Sequence, residues 1–157
     1  MKKKVMFVAT TGGHINEVLQ LEKMFKDYEY SLVTEKDNYT KSLENRFKSH
    51  IYYLKHANQK PLIVYLFWLF INCWISLYLF IKLRPKYIVS TGAHAAGPML
   101  CLGKIFGSKI IFIESFANSK SKTLTGRIIY LFADLFIVQW ESMLELYPKA
   151  VYGGWIF

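Results

Sequence analysis

Two histidines and a glutamate, each beside small or hydroxyl-bearing residues, are the side chains best suited to chemistry. His14 ends the run Thr10-Thr11-Gly12-Gly13-His14. His94 lies within Ser90-Thr91-Gly92-Ala93-His94-Ala95-Ala96-Gly97-Pro98, and Glu114 opens the run Glu114-Ser115-Phe116-Ala117-Asn118-Ser119. An imidazole titrates near pH ~6.5, so His14 suits accepting a proton from a hydroxyl or orienting it. A helix-capping histidine is the plainer reading of the same residue. His94 reads equally as a surface side chain, and Glu114 as a structural carboxylate at a strand end.

The glycines of the first run permit positive φ and close approach of a ligand to the backbone. The helix that follows offers unpaired N–H groups to an anion. A plain tight turn would use the same residues. The run is not G-x-G-x-x-G, and no acidic residue convincingly ends the second strand, which disfavours a dinucleotide cofactor. Together the three loops supply Gly12, Gly13, Thr91, Gly92, His94, Gly97, Ser115 and Asn118 as candidate substrate contacts. Cys73 and Cys101 fit no metal-ligand spacing. Neither a metal nor a cofactor is expected.

Loops of this kind need a scaffold that brings them to one edge. Short apolar runs at 4–10, 30–34, 51–54, 87–91, 109–114 and 135–139 have the length and branched or aromatic content of strands. Helical spacing links them at 15–26, 41–47 (weakly), 62–83, 96–106 and 124–132. Strands alternating with helices specify an α/β fold, a doubly wound, Rossmann-like parallel sheet with helices on both faces. All three loops then lie at the carboxyl ends of strands, where such sheets bind ligands. The 157 residues are expected to form a single domain, 1–157.

The chain is 53% hydrophobic with a net charge of +9. That excludes a disordered polypeptide. The lysines are scattered and no nucleic-acid-binding motif is present, so no nucleic-acid partner is expected. Met1-Lys2-Lys3-Lys4 and the apolar run after it are too short for a secretion signal. A reducing cytosol follows as the expected environment, with both cysteines as thiols.

Residues 62–81 are apolar except for Asn72 and Ser76. Twenty helical residues extend about 30 Å, enough to cross a bilayer. Crossing, however, would put the first three strands and the last three on opposite sides, and no common sheet could form. The expected arrangement is a monotopic or peripheral helix, its outer face in the bilayer interface or folded as a re-entrant hairpin. Trp68, Trp74, Tyr65 and Tyr78 suit interfacial depth, the net positive charge suits anionic headgroups, and Asn72 and Ser76 form a less apolar stripe.

The GGH loop, STGAHAAGP (90–98), IIFIESFA (110–117) and SKTLTGRIIYLFAD (121–134) occur in an order and spacing that resemble a known family. They resemble the amino-terminal half of GT-B glycosyltransferases that act on polyprenyl-linked acceptors. They resemble still more the short, membrane-associated subunit of split enzymes: the anchoring subunit of the UDP-GlcNAc transferase of dolichol-linked oligosaccharide assembly and its bacterial capsular or exopolysaccharide counterparts. The resemblance covers nearly the whole chain. It departs from the full-length enzymes where they carry His-Glu-Gln-Asn, because this chain reads Ile113-Glu114-Ser115-Phe116 and only the glutamate carries over.

The resemblance implies an acceptor-side domain that binds a polyprenyl-pyrophosphate-linked sugar. The chain ends near where an interdomain crossover would begin, so a donor-binding partner subunit is expected to supply the UDP-sugar site. His14 and Glu114 are then the candidate catalytic residues, and the cytoplasmic face of the membrane is the expected location. A small stand-alone enzyme using nucleotide sugars and a purely structural membrane tether are the alternatives. The aromatic tail (Tyr147, Tyr152, Trp155, Phe157) suits either a partner interface or packing on the sheet.

Overall fold

The computed structural model describes residues 2–56, 61–92 and 94–156, with the side chains of Leu62 and His94 outside that description. The chain runs β1 (Lys4–Ala9), α1 (Gly13–Gln20), α2 (Glu22–Phe25), β2 (Glu29–Glu35), α3 (Asn38–Ser42), α4 (Glu44–Phe47), β3 (Ile51–Leu54) and α5 (Leu62–Leu83). It continues through β4 (Tyr87–Gly92), α6 (Gly97–Ile105), β5 (Lys109–Ile113), α7 (Leu124–Ile129), β6 (Leu135–Val138), α8 (Met143–Leu146) and β7 (Val151–Tyr152).

The strands form one sheet in the order β3-β2-β1-β4-β5-β6-β7, and every neighbouring pair is parallel. This is the expected doubly wound α/β arrangement. Strand order reverses direction between β1 and β4, so a crevice opens at their carboxyl ends.

Helices pack on both sheet faces, with the second face open over β5 and β6, and this is why most strands read as continuous apolar runs rather than alternating ones. On one face Met6, Val8, Ile88, Ile110 and Phe136 pack with Leu79, Met99, Leu100, Ile129 and Tyr147. On the other, Val5, Phe7, Leu32 and Val89 pack with Ile15, Val18, Phe25 and Phe47.

The six expected strands are present within a residue at either end. The two-residue β7 was not anticipated, and neither were α8 and the 3-10 turns at Lys48–His50 and His94–Ala96. The expected helix at 15–26 is two helices broken at Leu21, whose N–H turns back to Val18 O at 3.0 Å. The weak helix at 41–47 begins earlier and splits at Leu43. Asp37 starts it with a capping box, accepting from Thr40 N while Asp37 N donates to Thr40 Oγ1.

Helix α5 is not a core helix: Phe67, Phe70, Trp74 and Tyr78 are each more than half exposed. Asn72 and Ser76 form its inward face and are fully buried. Asn72 accepts from Lys55 N at 2.8 Å and donates to Lys55 O at 2.9 Å, fastening the helix to the end of β3.

Candidate functional site

The carboxyl ends of β1, β4 and β5 enclose a pocket of about 210 Å³. His14, Thr91, Gly92, Glu114, Ser115 and Asn118 line it, joined by Phe112, Ala117, Thr123, Leu124 and Thr125. Six of the ten candidate residues therefore meet in one cavity, drawn from three loops far apart in sequence. Gly12, Gly13 and Gly97 do not line it. Gly12 precedes α1 at φ +82° and Gly97 begins α6. Candidate contacts through the His94 side chain, and the tail residue Phe157, lie outside the described residues.

The first two loops are knitted together. Thr10 N donates to Gly92 O at 3.2 Å, and Thr91 Oγ1 donates to His14 O at 2.8 Å. Gly92 has φ +106°, and a Cβ there would stand 3.3 Å from His14 Cε1. The imidazole thus rests against bare backbone at the point where strand order reverses. Ser90 Oγ accepts from Gly92 N at 3.1 Å and holds the bend.

The third loop is fixed by two carboxylates. Glu114 is buried; its Oε1 accepts from Ser115 N at 3.1 Å, and Tyr147 Oη donates to its Oε2 at 2.8 Å. Thr123 Oγ1 donates to the same carboxylate at 3.0 and 3.2 Å and accepts from Gly126 N at 2.8 Å, capping α7. With both oxygens engaged, Glu114 is geometrically suited to fixing the pocket wall. Burial and the neighbouring carboxylate push the Tyr147 hydroxyl well above its usual range, which keeps it a donor.

Glu17, which is not among the candidate residues above, is the second carboxylate. Its Oε1 accepts from Ser115 Oγ and from Phe116 N, both at 3.0 Å. Burial raises its pKa above 4.5, opposed by those hydrogen bonds and reinforced by Glu114. The signal was its position three residues after His14, on the same helix face. Phe116 is gripped from the other side as well, since Trp140 Nε1 donates to Phe116 O at 2.7 Å. Trp155 packs on the Phe116 and Trp140 rings at centroid distances of 5.6 and 5.0 Å.

An acidic residue does end β2, against expectation. Glu35 is buried, and Thr11 N and Thr11 Oγ1 donate to its Oε2 at 3.3 and 3.4 Å. His56 Nδ1 lies 3.3 Å from the same oxygen. The carboxylate braces the glycine loop. Among the described residues no cluster of histidine, cysteine and acidic side chains could hold a metal ion.

A parallel sheet with a pocket at its switch point, formed by the loops after β1, β4 and β5, defines a Rossmann-like α/β domain of the kind that makes up one half of a GT-B fold. Acinetobacter baumannii MurG superimposes with a TM-score of 0.70 at 18% identity, over 87% of this chain and 41% of that one. UDP-N-acetylglucosamine 2-epimerase from Rickettsia bellii superimposes at 0.72 and 16% identity, over 94% and 42%. The chain thus spans about two-fifths of each of these structures. Residues 5–156 match the family model "Oligosaccharide biosynthesis protein Alg14 like", and the chain belongs to that family. The UDP-N-acetylglucosamine transferase subunit ALG14 of Mus musculus is 27% identical over 178 residues, covering 96% of this chain and 82% of that protein.

Proposed function

We propose that this protein is the acceptor-side, membrane-anchored subunit of a two-protein, UDP-sugar-dependent glycosyltransferase of lipid-linked oligosaccharide or capsular polysaccharide assembly. The pocket binds the sugar of a polyprenyl-pyrophosphate-linked acceptor, and a separate donor-binding subunit closes the cleft and carries the UDP-sugar. The acceptor hydroxyl oxygen forms a bond to the anomeric carbon while the bond from that carbon to the UDP oxygen breaks. His14 takes or directs the hydroxyl proton, and UDP departs with the bonding electron pair. Glu114 holds Ser115 and Thr123 in the wall that the acceptor meets, and no cofactor takes part.

The observation that carries this reading is the meeting of His14, Thr91–Gly92 and the Glu114–Asn118 loop in one cavity. Its volume of about 210 Å³ falls below the ~300 Å³ at the small end of complete ligand sites. That size suits one sugar ring against a half-site awaiting a second wall. A second support is an apolar groove of about 410 Å³ over β1, β4, β5 and β6, bordered by Leu21 between α1 and α2, Met24 of α2 and Ile156 of the tail. It suits a docking partner. The membrane role draws on α5, whose Ile63–Leu83 stretch has a mean hydropathy of 2.0 and leaves most of its residues exposed or half-buried.

The test is transfer from UDP-GlcNAc to a lipid-linked monosaccharide, assayed with this chain alone, the donor-binding subunit alone, and both together. Product is expected only from the pair. Product from this chain alone would establish the stand-alone enzyme instead.

A further inference from the structure

Helix α5 is longer than the sheet it packs on, and the excess lies at one end. Its buried side chains, among those described, are Asn72, Ser76, Leu79 and Phe80. Between Ile63 and Ile71 none is buried, and Ile63, Leu66, Phe67 and Phe70 are more than half exposed. Asn72 is level with the carboxyl end of β3, where it holds both backbone groups of Lys55. At the other end, Lys82 and Leu83 border a cleft with Lys4 and Glu29, at the amino ends of β1 and β2. The helix therefore runs antiparallel to the strands. Residues 62–71 extend past the carboxyl end of β3, toward the edge that bears the pocket, with Tyr65, Trp68, Leu69 and Ile71 half-buried and the other described side chains exposed.

Ten residues at ~1.5 Å each give a projection of about 15 Å. That is half of the ~30 Å hydrocarbon core, or one leaflet. The base of the projection is basic. Lys36 and Lys55 follow the paired strand ends Glu35 and Leu54, and His56 comes next; all three are exposed. The neighbouring Asp37 carboxylate is turned inward, accepting from Thr40 N at 2.7 Å. An apolar prong about one leaflet long, with two exposed lysines at its base, matches a phospholipid surface that offers acyl chains beneath anionic phosphates.

We propose that α5 enters the bilayer by its amino-terminal half alone, roughly along the membrane normal, so that the carboxyl edge of the sheet faces the headgroups. Lys36 and Lys55 meet lipid phosphates there, and the pocket opens at headgroup depth. The inference rests on the membrane-anchored reading above, but it differs from a helix lying flat in the interface and from a helix that crosses.

The test uses the full chain with Cys73→Ser and Cys101→Ser, reconstituted into phosphatidylcholine–phosphatidylglycerol vesicles. An environment-sensitive fluorophore is attached at Phe67→Cys, Tyr78→Cys or Met24→Cys, all exposed positions. Quenching by lipids brominated at shallow or deep acyl positions reads the depth of each. Phe67→Cys should be quenched by the deep bromines, with Tyr78→Cys and Met24→Cys in water. Equal, shallow quenching at Phe67→Cys and Tyr78→Cys would mean a flat helix and would overturn the inference while leaving membrane anchoring intact. Vesicle-independent fluorescence at all three would overturn anchoring as well. Lys36→Gln and Lys55→Gln should each weaken binding to these vesicles about fivefold, with little effect on neutral ones. Equal binding by both variants would remove the phosphate contact.

Discussion

Glu17 Oε1 accepts a hydrogen bond from Ser115 Oγ at 3.0 Å, joining residues 98 positions apart. One turn of α1 thereby serves two walls of the pocket: His14 lies against Gly92, while Glu17 holds the Ser115–Phe116 backbone. Glu17→Ala leaves the Ser115 hydroxyl and the Phe116 N–H without their acceptor, at an expected cost of about 2 kcal/mol or more. Glu17→Gln keeps an acceptor oxygen and should retain the loop. Chemical denaturation of the two variants separates them; equal stability would mean that the carboxylate does not hold the loop.

The same residue predicts a pH dependence. Folding raises the Glu17 pKa above 4.5, chiefly through burial, so the folded state favours the protonated form. Its contribution to stability is therefore fullest below 4.5 and falls as pH rises through the raised value. Glu17→Gln bears no charge at any pH. Thermal melts should show its Tm advantage over wild type opening as pH increases from 4.5 towards neutrality. A margin that narrows over that range would contradict the assignment.

Asp134 predicts the opposite sign. Burial opposes its ionisation, but the Ile110 N–H and the ammonium groups of Lys109 and Lys104 outweigh that and hold it at about 2. Its contribution is present above the ordinary 3.8 and is lost as pH falls towards 2. Asp134→Asn should lower Tm at neutral pH, with the difference closing in acid. All three charged groups are partly exposed, so the effect should also shrink in high salt.

Three glycines separate folding from binding. At Gly126 a Cβ would press on the Glu114 carboxylate and stand 2.6 Å from Tyr147 Oη, so Gly126→Ala should cost about 1–3 kcal/mol. At Gly92 the φ of +106° and the contact with His14 predict a loss of both stability and transfer activity in Gly92→Ala. At Gly13 a Cβ would meet nothing within 4 Å. Gly13→Ala should fold as wild type and, because Gly13 does not line the pocket, leave the acceptor KM unchanged; a raised KM would place Gly13 in the site.

The sheet was legible because each buried strand is a short apolar run bounded by turn residues. The carboxyl edge followed from the parallel topology, which is why the loops bearing His14, Thr91 and Glu114 were expected together. Residues acting across long separations left no such mark. Glu17 reads as one more charged position on an amphipathic helix, and Tyr147 as an aromatic tail residue, until the fold brings each to the Glu114 loop. The break at Leu21 was hidden because apolar spacing continues through it. The projection of α5 depends on which of its residues is level with the end of β3, and only the Asn72–Lys55 pairing sets that.

The central claim, that this chain supplies the acceptor side of the reaction, is tested most directly by steady-state kinetics of the two-subunit complex carrying His14→Ala. A base or hydroxyl-orienting group is worth about 10²–10⁴ in rate. The account predicts a loss of kcat of roughly 100-fold or more, with the KM for the UDP-sugar unchanged. Full activity in His14→Ala would contradict it and leave the chain as a membrane tether.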